Sequence, residues 1–187
     1  MTPMVPGLRY LSNFLDAEAH DRLLQAADSQ PWCHAGGGRS VQIYGYSYHH
    51  AKGGIYRLGD LPPWTTEIAE RLCRDGLMPW VPDQMIANEY GAGTGIFAHL
   101  DLDAFDHTIV SISLGSACVM QFIESDAGTV ETILLEPGSA LVLSGDARYK
   151  WKHAIAPQPS DFWMGREIVR GRRVSLTFRR MLPSSAK

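Results

Sequence analysis

Apolar residues recur at helical spacing in two stretches of the N-terminal third. Asp16 is a favourable N-cap residue, and the apolar pattern behind it runs until Pro31, so we predict a helix over about residues 16–29. The Pro62-Pro63 pair opens a second helix that ends near Gly76, since proline is well tolerated in a first helical turn. The apolar positions that define the helices are Ala19, Leu23, Leu24 and Ala27, then Ile68, Ala69 and Leu72.

From Pro82 onward the pattern changes to short runs of strand-forming residues separated by glycine and proline turns. In residues 110–114, apolar residues alternate with serine, which is typical of a strand with one apolar face. Two helices followed by many strands predict a mainly β fold with flanking helices (α+β), a jelly roll backed by the N-terminal helices. The other runs that we predict as strands are 118–123, 130–135, 140–143 and 173–178.

A tyrosine-rich segment lies between the two predicted helices. Three glycines at residues 36–38 allow a bend, and the residues that follow, up to Tyr48, suit strands. The tyrosine rings are either core residues or a surface that stacks on a planar ligand. We favour the ligand-stacking interpretation for Tyr44 and Tyr46 and the core interpretation for Tyr48.

The composition is that of an ordinary globular protein, with 45% hydrophobic and 20% charged residues in a chain of 187. This length suits a single domain over residues 1–187, and we expect a monomer. A formal net charge of -3 and a pI near 6.1 argue against strong, indiscriminate nucleic-acid binding. Cys33, Cys73 and Cys118 form no C-x-x-C pair, which argues against a disulfide framework or a zinc ribbon.

The sequence also bears on location. No run of residues is long and apolar enough to span a bilayer, so we expect no membrane association. The first residues lack the basic region and apolar run of a signal peptide. We therefore expect a cytoplasmic protein.

The stretch His99-Leu100-Asp101 carries the first candidate chemistry. Along an extended segment, residues i and i+2 share a face, so the imidazole and the carboxylate converge. A distant histidine completes a two-histidine, one-carboxylate site, which leaves positions on Fe(II) open for a cosubstrate and oxygen. We expect His153 to be that ligand, and His107 is its competitor because it lies near His99 in the chain. The alternative is a solvated turn that contains H-x-D by chance.

The last predicted strand carries the second signal. Its apolar residues fall on one face, and the opposite face carries Arg173, Ser175 and Arg179. Two arginines on one face suit both ends of a small dicarboxylate, because the guanidinium fork binds a carboxylate bidentately. Phosphate binding and surface salt bridges are the alternatives. Upstream, Asn88 and Tyr90 share a face and offer hydrogen bonds to a polar ligand, unless they are ordinary strand residues.

The order N-x-Y, H-x-D, a later histidine and R-x-S-L-T-F-R resembles the AlkB family of Fe(II)- and 2-oxoglutarate-dependent dioxygenases. The resemblance covers residues 82–181 and implies a double-stranded β-helix that forms the metal- and cosubstrate-binding core. Residues 1–81 then supply the helices and a substrate-recognition segment. The resemblance implies Fe(II), 2-oxoglutarate and O2, with iron ligands and cosubstrate-binding residues as follows: His99, Asp101 and His153 for iron, and Asn88, Tyr90, Arg173 and Arg179 for 2-oxoglutarate.

Four details refine this resemblance. Arg173 would pair with the distal carboxylate of 2-oxoglutarate, and Arg179 would lie nearer the end that chelates iron and belong to the catalytic set. Ser175 stands where several members carry asparagine, so we expect altered contacts with the cosubstrate there. Arg148 would approach the substrate. Asp103 matches the acidic residue that faces the base in members that repair nucleic acid.

The resemblance implies oxidative dealkylation of N-alkylated bases in DNA or RNA, a direct-reversal repair reaction, with single-stranded substrates favoured. Asp103 would select the cationic 1-methyladenine or 3-methylcytosine in a partly desolvated pocket, and Tyr44 or Tyr46 would stack on the flipped base. One alternative is a tRNA wobble-uridine hydroxylase, which the segments 44–46 and 82–85 favour. A protein hydroxylase or demethylase and a non-enzymatic metal-binding module are the others.

Overall fold

The computed structural model describes residues 5–49 and 54–182 and has a mainly β architecture with flanking helices. The helices are α1 (Ala17–Asp28), α2 (Thr66–Arg74) and α3 (Gly145–Tyr149). The strands are β1 (Leu8–Leu11), β2 (Cys33–Ala35), β3 (Arg39–Tyr44), β4 (Tyr46–His49), β5 (Gly54–Arg57), β6 (Gln84–Tyr90), β7 (Ile96–His99), β8 (Ile109–Gly115), β9 (Cys118–Glu124), β10 (Val130–Leu135), β11 (Ala140–Leu143), β12 (Trp151–Ile155), β13 (Ser160–Trp163), β14 (Arg166–Val169) and β15 (Arg173–Arg179).

Both predicted helices are confirmed. The Asp16 side chain accepts a hydrogen bond of 2.7 Å from the backbone N–H of Ala19, which satisfies an otherwise unpaired donor at the start of α1. The proline pair opens a single 3-10 turn over Pro63–Thr65, and α2 continues from it. Each helix buries its apolar face, as the periodicity predicts.

The strands form two main sheets, which confirms the predicted jelly-roll class. A seven-stranded sheet has the order β1-β11-β8-β15-β6-β3-β2, and a four-stranded sheet has the order β10-β9-β12-β7. The pairs β13–β14 and β4–β5 form separate two-stranded ribbons. One apolar core lies between the large sheet and α1 and α2, and a second lies between the two sheets.

Alternation along the central strands separates these two environments. In β15, Val174, Leu176 and Phe178 belong to the core under the helices. The residues between them face the space between the sheets, because successive side chains of a strand point to opposite faces. The polar face of β15 is therefore enclosed by the jelly roll rather than exposed to solvent.

A buried ion pair anchors the β13–β14 ribbon. The Asp161 carboxylate, 2% exposed, accepts hydrogen bonds from Arg170 Nε at 2.6 Å, from Gln158 at 2.7 Å and from the backbone N–H of Val119 at 2.9 Å. Burial alone would raise the pKa of Asp161, but the bonds from Arg170, Val119 and Gln158 outweigh it and hold that pKa below its ordinary value.

Asp161→Asn is expected to lower the free energy of unfolding by about 3 kcal/mol near neutral pH, since it leaves Arg170 buried without its charged partner. The folded-state pKa of Asp161 is depressed, so its contribution is fully present above the unfolded value of about 3.9 and is lost as the pH falls through the folded value. Urea unfolding at neutral and strongly acidic pH measures this difference. Asp60→Asn, in an exposed pair with Arg57, is the control and should change little. If the free energy of unfolding of the wild type exceeded that of Asp161→Asn by the same amount at both pH values, the assignment of an ionised Asp161 paired with Arg170 would be contradicted.

Candidate metal and cosubstrate site

A β-bulge in β7 determines where the first candidate ligand points. His153 of β12 pairs with His99, and Ile155 pairs with Ile96, so β7 contains one extra residue between these pairs. The bulge exposes Phe97, which is 88% accessible, while Ile96 and His99 both line the inter-sheet cavity. The Nδ1 atom of His99 lies 2.8 Å from the carbonyl oxygen of Phe97. Because a carbonyl only accepts, Nδ1 donates here and Nε2 is left with a free lone pair.

The three predicted metal ligands converge at this point. The rings of His99 and His153 lie with their centroids 4.3 Å apart, on adjacent strands. The Nε2 atom of His153 is 3.7 Å from Oδ2 of Asp101, and both side chains are largely buried. The pairing of β7 with β12 thus brings together His99 and His153, which are more than fifty residues apart in the chain.

Arg179 fixes the other side of the Asp101 carboxylate. Its Nε and Nη2 atoms donate to Oδ1 of Asp101 at 2.9 and 2.5 Å, and its Nη1 donates to Oε1 of Gln84 at 3.1 Å. Burial alone would raise the pKa of Asp101, but Arg179 and His153 outweigh it and hold that pKa well below its usual range. Burial lowers the pKa of His153 to about 4, against the opposing charge of Asp101. Near neutral pH the cluster therefore presents a neutral His153 imidazole beside an ionised Asp101 carboxylate.

The types of donor group in this cluster are those that Fe(II) binds. Two neutral imidazoles and a carboxylate suit that metal and leave coordination positions open. Within residues 5–49 and 54–182, no three His, Cys, Asp or Glu side chains are already placed so that they could hold a metal ion together. Oδ1 of Asp101 is engaged by Arg179, whereas Oδ2 faces the His153 ring. The residues are gathered at one point, with one carboxylate oxygen directed toward the histidines.

Arg173 lies in the same cavity with unmet hydrogen-bonding capacity. The residue is 3% exposed, and its Nη2 donates to Oγ of Ser113 at 2.9 Å. Its Nε and Nη1 atoms are buried and have no hydrogen-bond partner in the described structure. A buried guanidinium with unpaired donors is unfavourable unless an acceptor binds there, and a carboxylate matches its fork geometry. The cavity therefore fits a small carboxylate ligand that extends from Arg173 toward the histidines.

Comparison with known proteins agrees with this geometry. Residues 35–179 match the family model described as the 2OG-Fe(II) oxygenase superfamily. The chain belongs to this superfamily. It is accordingly a dioxygenase that uses Fe(II), 2-oxoglutarate and O2.

Individual relatives place it in the AlkB family. The mouse protein "tRNA (carboxymethyluridine(34)-5-O)-methyltransferase ALKBH8" is 32% identical over 94% of this chain and 30% of its own length. The Arabidopsis thaliana "Alkylated DNA repair protein ALKBH8 homolog" is 32% identical over 95% of this chain and 59% of its own length. The chain thus spans less than two thirds of these relatives. The structure of OsALKBH1 has a TM-score of 0.71 at 19% identity and covers 94% of this chain and 98% of that one, which shows the shared fold.

No helix among the described residues has the length and apolar character to cross a membrane.

The AlkB-type cavity gathers all of the predicted metal and cosubstrate residues. Ser175 of β15 pairs with Asn88 of β6 on one side and Ser113 of β8 on the other, so three polar residues lie in one row. The Tyr90 ring packs under the Arg173 guanidinium at 5.3 Å. The predicted residues that line the cavity are Asn88, Tyr90, His99, Asp101, His153, Arg173, Ser175 and Arg179.

The structure does not place Tyr44, a predicted substrate residue, in the dioxygenase cavity. In β3 this residue pairs with Met85, whose side chain lies in the core under the helices, so Tyr44 faces away from the dioxygenase cavity. Its ring meets Trp64 edge-on at 6.2 Å, and its hydroxyl donates to Gln42 at 3.2 Å. Tyr46 lines a separate surface groove with Val81 and does not line the cavity, so its expected stacking on a base at the metal site is also not supported.

Two further predicted substrate residues lie in other surroundings than expected. Arg148 is 2% exposed, and its guanidinium donates to the backbone carbonyls of Asp101 and Leu102, so it is engaged inside the protein. Asp103 follows Asp101 by two residues, as expected, but its side chain is exposed. A partly desolvated pocket around Asp103 is therefore not present in this structure.

The sequence analysis missed three residues that contact the predicted site. Gln84 is 1% exposed and accepts from Arg179, and Ser113 accepts from Arg173. Arg39 of β3 donates to Oδ1 of Asn88 at 3.0 Å, so the N-terminal segment reaches the cosubstrate residues. Alternation offered a signal for two of them, because Gln84 shares a strand face with Asn88 and Ser113 precedes Leu114 in the alternating run.

Proposed function

We propose that this dioxygenase hydroxylates a carbon substituent on a modified base of tRNA, of the carboxymethyluridine class. The observation that carries the reaction is the cavity that connects the His99, Asp101 and His153 cluster to the unpaired atoms of Arg173. Support for the substrate comes from the mouse relative, whose name states an activity on carboxymethyluridine in tRNA, at 32% identity over 94% of this chain. When bound, Fe(II) and 2-oxoglutarate supply oxygen-dependent hydroxylation, in which 2-oxoglutarate becomes succinate and carbon dioxide.

The roles of the chain's own residues follow from their positions. His99, Asp101 and His153 would hold the metal, and Arg173 would bind the distal carboxylate of the cosubstrate with its free Nε and Nη1 atoms. Gln84 orients Arg179 beside Asp101. The apolar residues Ile109, Leu141 and Leu143 line the cavity and exclude water from it, which strengthens the charge interactions inside.

A second candidate is the removal of N-methyl groups from cationic bases. The exposed Asp103 near the cluster and the Arabidopsis relative named for alkylated DNA repair favour it. The two candidates share the hydroxylation step and differ in the product. A hydroxylated N-methyl group breaks down to formaldehyde and the free base, whereas an alcohol on a carbon-attached substituent persists.

The product distinguishes the candidates. Purified protein is incubated with Fe(II), 2-oxoglutarate and either an anticodon stem-loop carrying the methyl ester of carboxymethyluridine or single-stranded DNA carrying 1-methyladenine. We expect the stem-loop to gain one oxygen atom by mass spectrometry, with equimolar succinate, and the His99→Ala variant to form neither product. Formaldehyde release from the DNA alone would select the second candidate. Consumption of 2-oxoglutarate with neither nucleic acid altered would overturn both.

Under the second candidate, Asp103→Ala is expected to lower demethylation by about two- to fivefold, since an exposed charge pair contributes up to about 1 kcal/mol. Succinate formation without substrate should not change. The rate of formaldehyde release measures the effect, with Asp126→Ala, an exposed acid in the turn after β9, as the control. Unchanged demethylation in Asp103→Ala would exclude a base-sensing role for this residue.

A further inference from the structure

Arg148, in the last turn of α3, is a buried cation that contacts the loop of a predicted metal ligand. Its Nη1 donates to the carbonyl oxygen of Asp101 at 3.0 Å, and its Nη2 donates to that of Leu102 at 2.5 Å. The side chain is 2% exposed, and 46 or 47 residues separate it from these partners in the chain. The contact therefore joins two distant segments that meet only in the folded protein.

Both of those segments carry predicted ligands. Arg148 lies five residues before His153, and α3 is followed by a single residue, Lys150, before β12 begins. The backbone at Lys150 is fixed on both sides, because its N–H donates to Asp146 and its carbonyl accepts from Ser125. Arg148 thus ties the Asp101 loop to the rigid element that presents His153.

The choice of acceptor atoms matters for chemistry at Asp101. Arg148 binds the backbone of the loop and leaves the carboxylate oxygens to other partners: Oδ1 accepts from Arg179, and Oδ2 faces His153. The loop is thereby held without occupying the oxygen that points toward the histidines. The Nε atom of Arg148 is buried without a partner, a cost that an apolar side chain filling the same space would avoid.

We propose that Arg148 is a positioning residue, which sets the location of the Asp101 carboxylate relative to His153 and contacts neither substrate nor metal. This inference rests on the proposed role of Asp101 as a metal ligand. Groups that orient metal ligands typically change metal affinity by about 10- to 100-fold when they are removed. The effect of Arg148 is therefore expected in metal binding itself, before any substrate is present.

The test is Mn(II) binding to the full chain, followed by electron paramagnetic resonance, with Mn(II) in place of oxygen-sensitive Fe(II). Arg148→Met is expected to weaken Mn(II) binding by about 10- to 100-fold, because it keeps the bulk and removes both hydrogen bonds. Arg148→Lys is expected to fall between it and the wild type, since one ammonium group replaces a fork that reaches two carbonyls. Arg166→Met, at an exposed position of β14, is the matched control and should bind like the wild type.

Thermal unfolding and circular dichroism first establish that each variant is folded, and Arg148→Lys carries the test if Arg148→Met is not. Wild-type Mn(II) affinity in a folded Arg148→Met or Arg148→Lys protein would overturn the inference and leave the proposed function intact. An unchanged Mn(II) affinity combined with a raised KM for the nucleic-acid substrate would instead make Arg148 a substrate contact. Failure of the wild-type chain to bind Mn(II) would overturn the metal site and this inference together.

Discussion

Replacing Asp101 with alanine is expected to reduce 2-oxoglutarate turnover by at least about a thousandfold, since a bound metal supplies several kcal/mol to the reaction. The same change should lower the free energy of unfolding by about 3 kcal/mol, because Arg179 would remain buried without its charged partner. Both side chains of this pair are almost fully buried, so solvent screens the interaction little. Succinate release and urea unfolding measure the two effects separately.

A second substitution at the same position separates chemistry from folding. Asp101→Asn keeps an oxygen acceptor for Arg179 and removes the charge, so it should retain more of the stability than Asp101→Ala while turnover stays lost. Asp60→Ala, which removes an exposed carboxylate, should match the wild type in both measurements. Turnover in Asp101→Ala above about a tenth of the wild-type rate would contradict its assignment as a ligand.

Replacing Arg173 with methionine is expected to raise the KM for 2-oxoglutarate by about 30-fold or more, since truncating a buried charge pair costs about 2–5 kcal/mol of binding. Mn(II) affinity should not change, because Arg173 begins β15 whereas Arg179, which holds Asp101, ends it. The ligand-free protein should be no less stable than the wild type, because the substitution removes a guanidinium with two unpaired buried donors.

Steady-state kinetics with varied 2-oxoglutarate and urea unfolding without it check this prediction. Arg173→Lys should recover part of the affinity, since it restores the charge without the fork. Arg166→Met, on the exposed surface of β14, controls for the general loss of an arginine. A KM within threefold of the wild type in Arg173→Met would place the cosubstrate carboxylate elsewhere.

Local sequence patterns were sufficient to predict α1, α2 and the core strands β8 to β11 and β15. The helix after Asp16 begins where its cap predicts, because a side-chain oxygen bonds a backbone N–H three residues away. The polar face of β15 followed from alternation, and the structure encloses Arg173 and Arg179 in one cavity. In these cases the deciding interaction is local or the repeat is regular.

Other features depend on partners that sequence alone does not reveal. Alternation places Tyr44 on one face of β3, but only its pairing with Met85 shows that this face packs under the helices. The bulge before His99 has no signal in the residues Ile96 to Ala98, because it arises from the register with β12. The burial of Arg148 has no local signal, because its hydrogen-bond acceptors, the carbonyls of Asp101 and Leu102, are distant in the chain.

The assignment of His99, Asp101 and His153 as the metal ligands is tested most directly by titrating the purified chain with Mn(II) and following it by electron paramagnetic resonance. We expect one ion per wild-type chain, loss of that binding in His99→Ala and in His153→Ala, and unchanged binding in His107→Ala. His107 is the suitable control because it is mostly exposed and interacts with Asp106 and Thr108 rather than with the cluster. Retention of the ion in His153→Ala, or its loss in His107→Ala, would contradict the site proposed here.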